Sequence, residues 1–505
     1  MTGLRPTTQG EAVSSGMLGW GAKLDGEPTI NFDGVQRPYV AHPDRIKEFY
    51  RDGTAFTNTV ALSGGNGKGS FRASFSNLKS SGITPNNEYA KRIANLGLNY
   101  AITEKLKLSV NANYTSEENE NPPQVGIQGS GEANFLYRMS TSIPLSAFSE
   151  SVINPVNGIT ELPTSGFQTT LINPYFSMPR MFFNEDKNRL LATTTLRYEL
   201  TKWLFVQGRF NYDFSSSFHE FNTPTGQGTN NPFNSTGVEF NGNYTINTSR
   251  GSDVNADFLI GATKQFGAFS VDASFGGNTL RQTSMFTNQT VTDFVALGVY
   301  SLGNGVTTTT NNAGIGYRAR VNSLYGILEV GYKNILFLNL TDRQDWFSTL
   351  NPSNNTKNYP SVSGSFIFSE LLQNQTWLSY GKLRGAWAQV GSSNGAGYAE
   401  GLLTYTVLPQ GFNGQKLGNI NNTVAPNPGL IPFLVTEKEI GLEFKFFNRR
   451  VSFDVAAYDK TTTDQILTVA ISNATGYVGT KQNVGEMQTE AWSSSWKLCP
   501  LKRMD

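Results

Sequence analysis

The sequence predicts an all-β fold: an antiparallel transmembrane β-barrel with about fourteen strands, short turns at one end and long loops at the other. Three observations carry this. Residues 92–114 (RIANLGLNYAITEKLKLSVNANY) and 190–212 (LLATTTLRYELTKWLFVQGRFNY) are one pattern written twice, with Leu98, Tyr100, Thr103 and Asn113 matching Leu196, Tyr198, Thr201 and Asn211. Within each copy apolar and polar residues alternate on both sides of a short polar turn, the mark of a hairpin with one greasy and one wet face. Leu106, Leu108, Val110, Leu204, Val206 and Phe210 share the greasy face; Lys107, Asn111, Gln207 and Arg209 take the other. Along the chain, tight turns then alternate with connections tens of residues long.

Alternation alone fits a large soluble sheet with one buried face equally well. Each arm, however, runs to roughly ten residues, the length a tilted strand needs to cross a bilayer. Tyr100, Tyr114, Tyr198 and Tyr212 sit near the ends of the greasy faces, at headgroup level. Sorting of short turns to one end and long loops to the other is barrel behaviour, for which a soluble sandwich or propeller has little reason. Composition agrees. The chain of 505 residues has a net charge of +1, so nothing points to nucleic acid. No apolar run approaches the length of a membrane helix, but a barrel, whose lumen face is polar, needs none. Met1 is followed by TGLRPTTQGE, without the basic start and apolar core of a signal peptide, so the chain either is soluble or begins after its leader.

Residues 1–55 read as an irregular segment leading into the barrel, with one short helix around Asp44–Tyr50. Residues 56–488 read as the barrel. Strands 57–63 and 70–78 flank the turn GGNGKG. This is not a phosphate loop: the glycine spacing ahead of Gly67-Lys68 is wrong, and Gly69 stands where Ser or Thr would hold magnesium. The two repeated hairpins follow, separated by a long stretch near 115–188 without sustained alternation. Further strands are predicted at 254–262, 268–276, 323–332, 335–343, 361–368, 381–390, 438–446 and 451–459, with long loops near 215–253 and 277–322. The turns at Thr103–Glu104, Thr201–Lys202 and Lys333–Asn334 belong to one end, the long loops to the other. Thr57–Ser63 is expected near one free edge of the sheet and Val451–Asp459 near the other. Residues 489–505, TEAWSSSWKLCPLKRMD, read as an aberrant, poorly placed tail.

Little catalytic chemistry is written here. His42 and His219 stand alone, Cys499 is the only cysteine, and no zinc, nucleophile-elbow or Rossmann pattern occurs. An enzyme is not expected, nor is a cofactor. Glu117, Glu118 and Glu120 form an acidic group that reads as a solvated loop rather than a calcium site. Arg209 and Arg384 read as lumen-lining. Trp346 and Tyr359 are the candidate substrate-binding residues, because loop aromatics stack on sugar rings; packing between loops is the competing reading.

LSGGNGKGSFRASFSNLKSSGITPNNEYAKRIANLGLNYAITEKLKLSVNANY resembles the early barrel of SusC/RagA-type TonB-dependent outer-membrane transporters. YKNILFLNLTDRQDWFS, KLRGAWAQVGSS and NPGLIPFLVTEKEIGLEFKFFNRRVSFDVAAYDKTTTDQIL are similar to later parts of that family, in the family's order. The resemblance implies a 22-stranded parent barrel with an N-terminal plug. It implies outer-membrane localisation and uptake of oligosaccharides or peptides driven by the TonB complex, under a SusD-like surface lipoprotein. At both ends the chain departs from the pattern, without TonB box, plug or final strands, and so reads as an internal stretch of such a transporter. The rival class is a surface adhesive β-protein that binds partners through long loops; detergent dependence separates the two.

Overall fold

The structure, a computed structural model, describes residues 5–17, 21–123, 131–166, 171–227, 241–372, 375, 377–397, 401–420 and 424–498. Its main feature is a 15-stranded antiparallel sheet. In chain order the wall strands are β1 (Thr54–Asn66), β2 (Gly69–Ser81), β3 (Glu88–Ala101), β4 (Leu106–Glu120) and β5 (Phe183–Glu199). Next come β6 (Leu204–Thr223), β7 (Asn243–Phe266), β8 (Phe269–Phe294), β9 (Gly305–Tyr332) and β10 (Leu336–Phe347). The last are β11 (Thr356–Phe366), β12 (Leu378–Ser392), β13 (Phe433–Phe446), β14 (Val451–Thr463) and β15 (Glu486–Leu498). Every strand pairs with the next one in the chain, and among the described residues β1 and β15 do not pair with each other, so the sheet is open.

Local chemistry makes the tight turns. Thr103 and Thr201, equivalent in the two repeats, cap their turns identically: each Oγ1 accepts from the backbone N–H groups two and three residues on. Asn66 Oδ1 does the same for Lys68 and Gly69. Lys333 and Asn334 both adopt positive φ (52° and 57°), the backbone that matches the twist of a hairpin.

Cross-strand register carries one apolar face through the whole wall. Leu62 opposes Ala73, Phe71 opposes Leu98, Leu98 opposes Val110, and Leu108 opposes Leu196. Farther on, Val206 opposes Ile260, Phe269 opposes Tyr332, Leu338 opposes Val330, and Phe444 opposes Phe453. Large side chains on this face stay exposed, Leu62, Phe210, Phe275 and Ile440 among them, which is the state of a surface solvated by lipid rather than water. At the short-turn end it carries Tyr100, Tyr198, Phe266, Phe269 and Tyr332, an aromatic belt at one membrane boundary.

Several expectations need correction. Residues 215–253 and 277–322 are not mainly loops. Strands β6 to β9 run 20, 24, 26 and 28 residues, well past the roughly ten that cross a bilayer. Beyond the bilayer the outer face no longer meets lipid, so apolar alternation fades while backbone pairing continues and Tyr244, Val291 and Phe294 pack in a small cluster of their own. Glu117, Glu118 and Glu120 lie on β4 rather than in a loop. Residues 489–498 are not a loose tail. They complete β15, which pairs with β14 from Val451↔Leu498 to Thr463↔Glu486, so the free edge is β15 and Val451–Asp459 is one strand inside it. The alternation is present after all: Trp492, Ser494, Trp496 and Leu498 share the apolar side, and Ala491, Ser493, Ser495 and Lys497 the other. Cys499 and the residues after it lie outside the described residues.

The long stretch between β4 and β5 is partly helical, at Glu132–Arg138, Leu145–Glu150 and Pro174–Ser177. It packs with the N-terminal segment, which carries helices Gln9–Ser15 and Arg45–Phe49 and the ribbon Pro28–Ile30/Gln36–Pro38. Phe32 and Phe49 from one segment join Phe135, Leu136, Phe148 and Leu171 from the other in a dry core. Arg45 is its polar pin. The buried guanidinium donates to the carbonyls of Leu136 and Met139 (2.8 Å each) and also to those of Ser140 and Ile143, supplying donors that the end of helix Glu132–Arg138 lacks. Thr84, in the β2–β3 connection, donates to Glu132 (3.1 Å), placing this cap at the long-loop end of the wall.

Candidate functional site: the inner wall

The face opposite the apolar band is polar, and its side chains bond across strands. Asn113 donates to Asn95, Ser109 to Asn99, Thr193 to Asn211 and Asn278 to Asn255. Charges are paired too, most of them across strands and Arg343–Asp345 along one strand. Arg189 holds Asp213 (2.7 Å), Arg209 holds Asp257 (2.8 Å), Arg343 holds Asp345 (2.7 Å), and Lys91 holds Glu117 (2.7 Å). Arg384 reaches furthest. It crosses β13 to meet Asp454 on β14 (2.9 Å) while also touching Glu439 (3.2 Å). Gly441 makes that crossing room, because a Cβ there would stand 2.5 Å from the guanidinium. Arg197 lies over the Phe205 ring at 3.5 Å, an inner-face cation–π contact.

This face is also where the wall is hollow. One recess of about 460 Å³ is bounded by Glu329, Asn339, Ser363, Lys382, Arg384 and Glu439. Another of about 750 Å³ is bounded by Asn99, Lys107, Ser109, Arg197 and Gln207. The sheet therefore curves around its polar side. Hydroxyls, amides and paired charges on a concave surface make a wetted channel lining that can exchange hydrogen bonds with a polar solute.

The residues singled out in the sequence fall as follows. Arg209 and Arg384 line the inner face, as do Lys107, Asn111 and Gln207. Trp346 and Tyr359 do not share a surface. Trp346 opposes Thr356 and Asn322 on the outer face, 37% exposed. Tyr359 opposes Arg343 on the inner face but is 5% exposed, and its hydroxyl has no partner among the described residues. Glu117 and Glu118 point to opposite faces, Glu118 onto Arg92 (2.5 Å), so they do not converge on a cation. His219 approaches Glu185 (3.3 Å), while His42 lies in the cap beside Arg45. The GGNGKG glycines form the β1–β2 hairpin turn. Sequence reading missed the carboxylate partners, because Arg209 and Asp257 become neighbours only through register; the usable signal was polar-face parity on adjacent strands.

A polar, ion-paired, concave lining behind a continuous apolar exterior defines a membrane-embedded barrel wall. Residues 153–490 match the family described as TonB dependent receptor-like, beta-barrel, and the chain belongs to it; such barrels are outer-membrane proteins. Among curated proteins it is similar to TonB-dependent receptor P26 of Formosa agariphila, 24% identical over 446 residues, covering 86% of this chain and 42% of that protein. TonB-dependent receptor P39 of the same organism is 23% identical over 219 residues, covering 43% of this chain and 20% of that protein. The chain thus spans less than half the length of these relatives. Among solved structures, the RagAB peptide transporter shares the fold with a TM-score of 0.73 at 18% identity, over 91% of this chain and 50% of that one. The outer membrane transporter YddB of Escherichia coli aligns with a TM-score of 0.54 at 12% identity, over 90% of this chain and 53% of that one.

Proposed function

We propose that strands β1 to β15, from Thr54 to Leu498, form part of the wall of an active importer that carries a bulky polar nutrient, an oligosaccharide or a peptide, across the outer membrane. The observation that supports this most is the inner face, where polar groups are paired with one another and stand open on a concave surface. In this reading the long connections face outward, under a SusD-like lipoprotein, and the TonB complex supplies the energy from the periplasmic side. Of the two aromatic candidates Tyr359 alone faces inward, but its ring and hydroxyl are buried, so it would meet the solute only once the segments covering it withdraw; Trp346 belongs to the membrane boundary. No covalent chemistry is involved.

The test uses the full-length transporter that contains this wall. Uptake of its nutrient should stop when TonB is deleted, and growth that persists without TonB refutes the reading. Protease added to whole cells should cut only at the long-connection end; cleavage at the turns 102–105, 200–203 or 333–335 inverts the topology. The 505-residue chain exported alone should not restore uptake. An open sheet leaves two rows of unpaired backbone groups, each costing several kcal/mol in lipid.

A further inference from the structure

Most inner-face arginines hold a carboxylate, and on the outer face Arg92 of β3 pairs with Glu118, but one outer-face group does not. On the inner face Arg189, Arg197, Arg209, Arg343 and Arg384 each hold a carboxylate. On the outer face Arg250 of β7, Arg281 of β8, and Arg318 and Arg320 of β9 are all exposed, and none makes an ion pair among the described residues. Register brings them together. Arg281 is directly opposite Arg320, Thr283 is opposite both Arg318 and Ser252, and Met285 is opposite Arg250. The other outer-face side chains around them, Ser216, Ser252, Thr279 and Asn322, are neutral. Like charges directly across a ladder destabilise it. Here four gather within a few residues with no carboxylate among the described residues to relieve them, so they stand open to an external anion.

The height of the cluster says which anion. Below it on β8 the outer face reads Phe269, Val271, Ala273, Phe275 and Gly277, and on β9 Tyr332, Val330, Leu328, Gly326 and Leu324. From the aromatic belt at Phe269, the rise to Arg281 along a tilted strand is about 30 Å, the thickness of the hydrocarbon core. The guanidinium groups therefore meet the membrane where acyl chains give way to headgroups. Trp346, opposite Asn322 on the same face, stands at that level as an interfacial ring.

We propose that Arg250, Arg281, Arg318 and Arg320 form a docking site for the phosphorylated headgroup of an outer-leaflet lipid, lipopolysaccharide in an outer membrane. Arginine forks fit phosphate oxygens bidentately, and several forks around one headgroup convert the repulsion among them into attraction. The site fixes the height and lateral lipid contact of the extended β7–β9 hairpins. It rests on the outward orientation of the long connections proposed above.

The experiment uses the full-length transporter in detergent, with lipopolysaccharide, enzymatically dephosphorylated lipopolysaccharide and inorganic phosphate as probes. Retained lipid is measured by native mass spectrometry. The unaltered protein should hold lipopolysaccharide at least about tenfold better than the dephosphorylated form, and Arg281→Gln with Arg320→Gln should remove that preference. Equal retention by the variant overturns the proposal. So does saturation by inorganic phosphate alone, or capture of an acidic protein in place of lipid. Orientation is read separately, by labelling Val299→Cys in a Cys499→Ser background with a membrane-impermeant reagent on intact cells. Labelling with no lipid preference condemns the lipid site alone; failure to label condemns the orientation.

Discussion

The wall and the cap obey opposite rules. In the wall, large apolar side chains such as Leu62, Phe210 and Ile440 are exposed and polar groups are satisfied across the lumen face. In the cap, Phe32, Phe135 and Phe148 are fully buried, and a charged group, Arg45, sits inside with them. The wall is held by neighbours in the chain; the cap is held by segments about a hundred residues apart. One lesson follows: the wall uses lipid as part of its solvent, whereas the cap is ordinary globular packing in water, and each should fail under different perturbations.

The largest effect should come from the cap core. Phe148 stacks on Phe32 at 5.3 Å and meets Phe135 edge-on at 4.9 Å. Phe148→Ala should cost the cap about 3–5 kcal/mol. Hydrogen exchange should then accelerate across residues 131–166 while strands β3 to β8 keep their protection. Equal loss in the strands would make wall and cap one cooperative unit and end the comparison.

Next comes a charge in the apolar band. Val110 is mid-band on β4, opposite Leu98 and Thr194, and Val110→Arg should cost about 2–4 kcal/mol. Leu108→Arg, nearer the turn, should cost less. Unfolding titrations in lipid vesicles measure both, and a neutral result at Val110 would mean that this face does not meet lipid.

Smaller still is the inner-face pairing. Gly441→Val should displace Arg384 from Asp454, and Arg384→Ala should remove the link outright. With water in the lumen either change should cost about 1 kcal/mol or less. The same titrations should show a small shift, with the folded barrel retained.

The smallest effect is acid sensitivity of the cap. Burial, then the neighbouring Arg45 charge, hold the His42 imidazole below its ordinary value, partly offset by Glu48. A histidine kept neutral in the folded state favours folding above its unfolded value. That contribution is lost as pH falls through the ordinary imidazole range toward the lower folded value. Exchange at the cap should therefore rise on acidification through that window, and His42→Gln should flatten the response.

The same division explains what could be read from the sequence. Period-two alternation and turn chemistry revealed the wall strands, because the residues that set register lie within one hairpin of each other. The far parts of β6 to β9 were illegible, since their apolar side chains, Tyr244, Val291 and Phe294 among them, form a local cluster rather than a period-two face. Trp492 and Trp496 were read as noise, although their spacing with Leu498 marks one face. The cap left no periodic trace: Arg45 meets the carbonyls of Leu136 and Met139 only after folding. On the inner wall Arg209 and Arg384 were legible and their carboxylates were not, because Asp257 and Asp454 lie on other strands.

Because each wall strand pairs, among the described residues, only with the wall strands next to it in the chain, the wall is countable in hairpins. Removing or adding one whole hairpin keeps the up-down sequence, keeps greasy and wet faces aligned, and alters a single seam. The twin texts at 92–114 and 190–212 occupy adjacent hairpins, β3–β4 and β5–β6. Circumference in such a molecule is a matter of copy number, so the bore can widen or narrow in whole hairpins while the chemistry of each strand stays as it was.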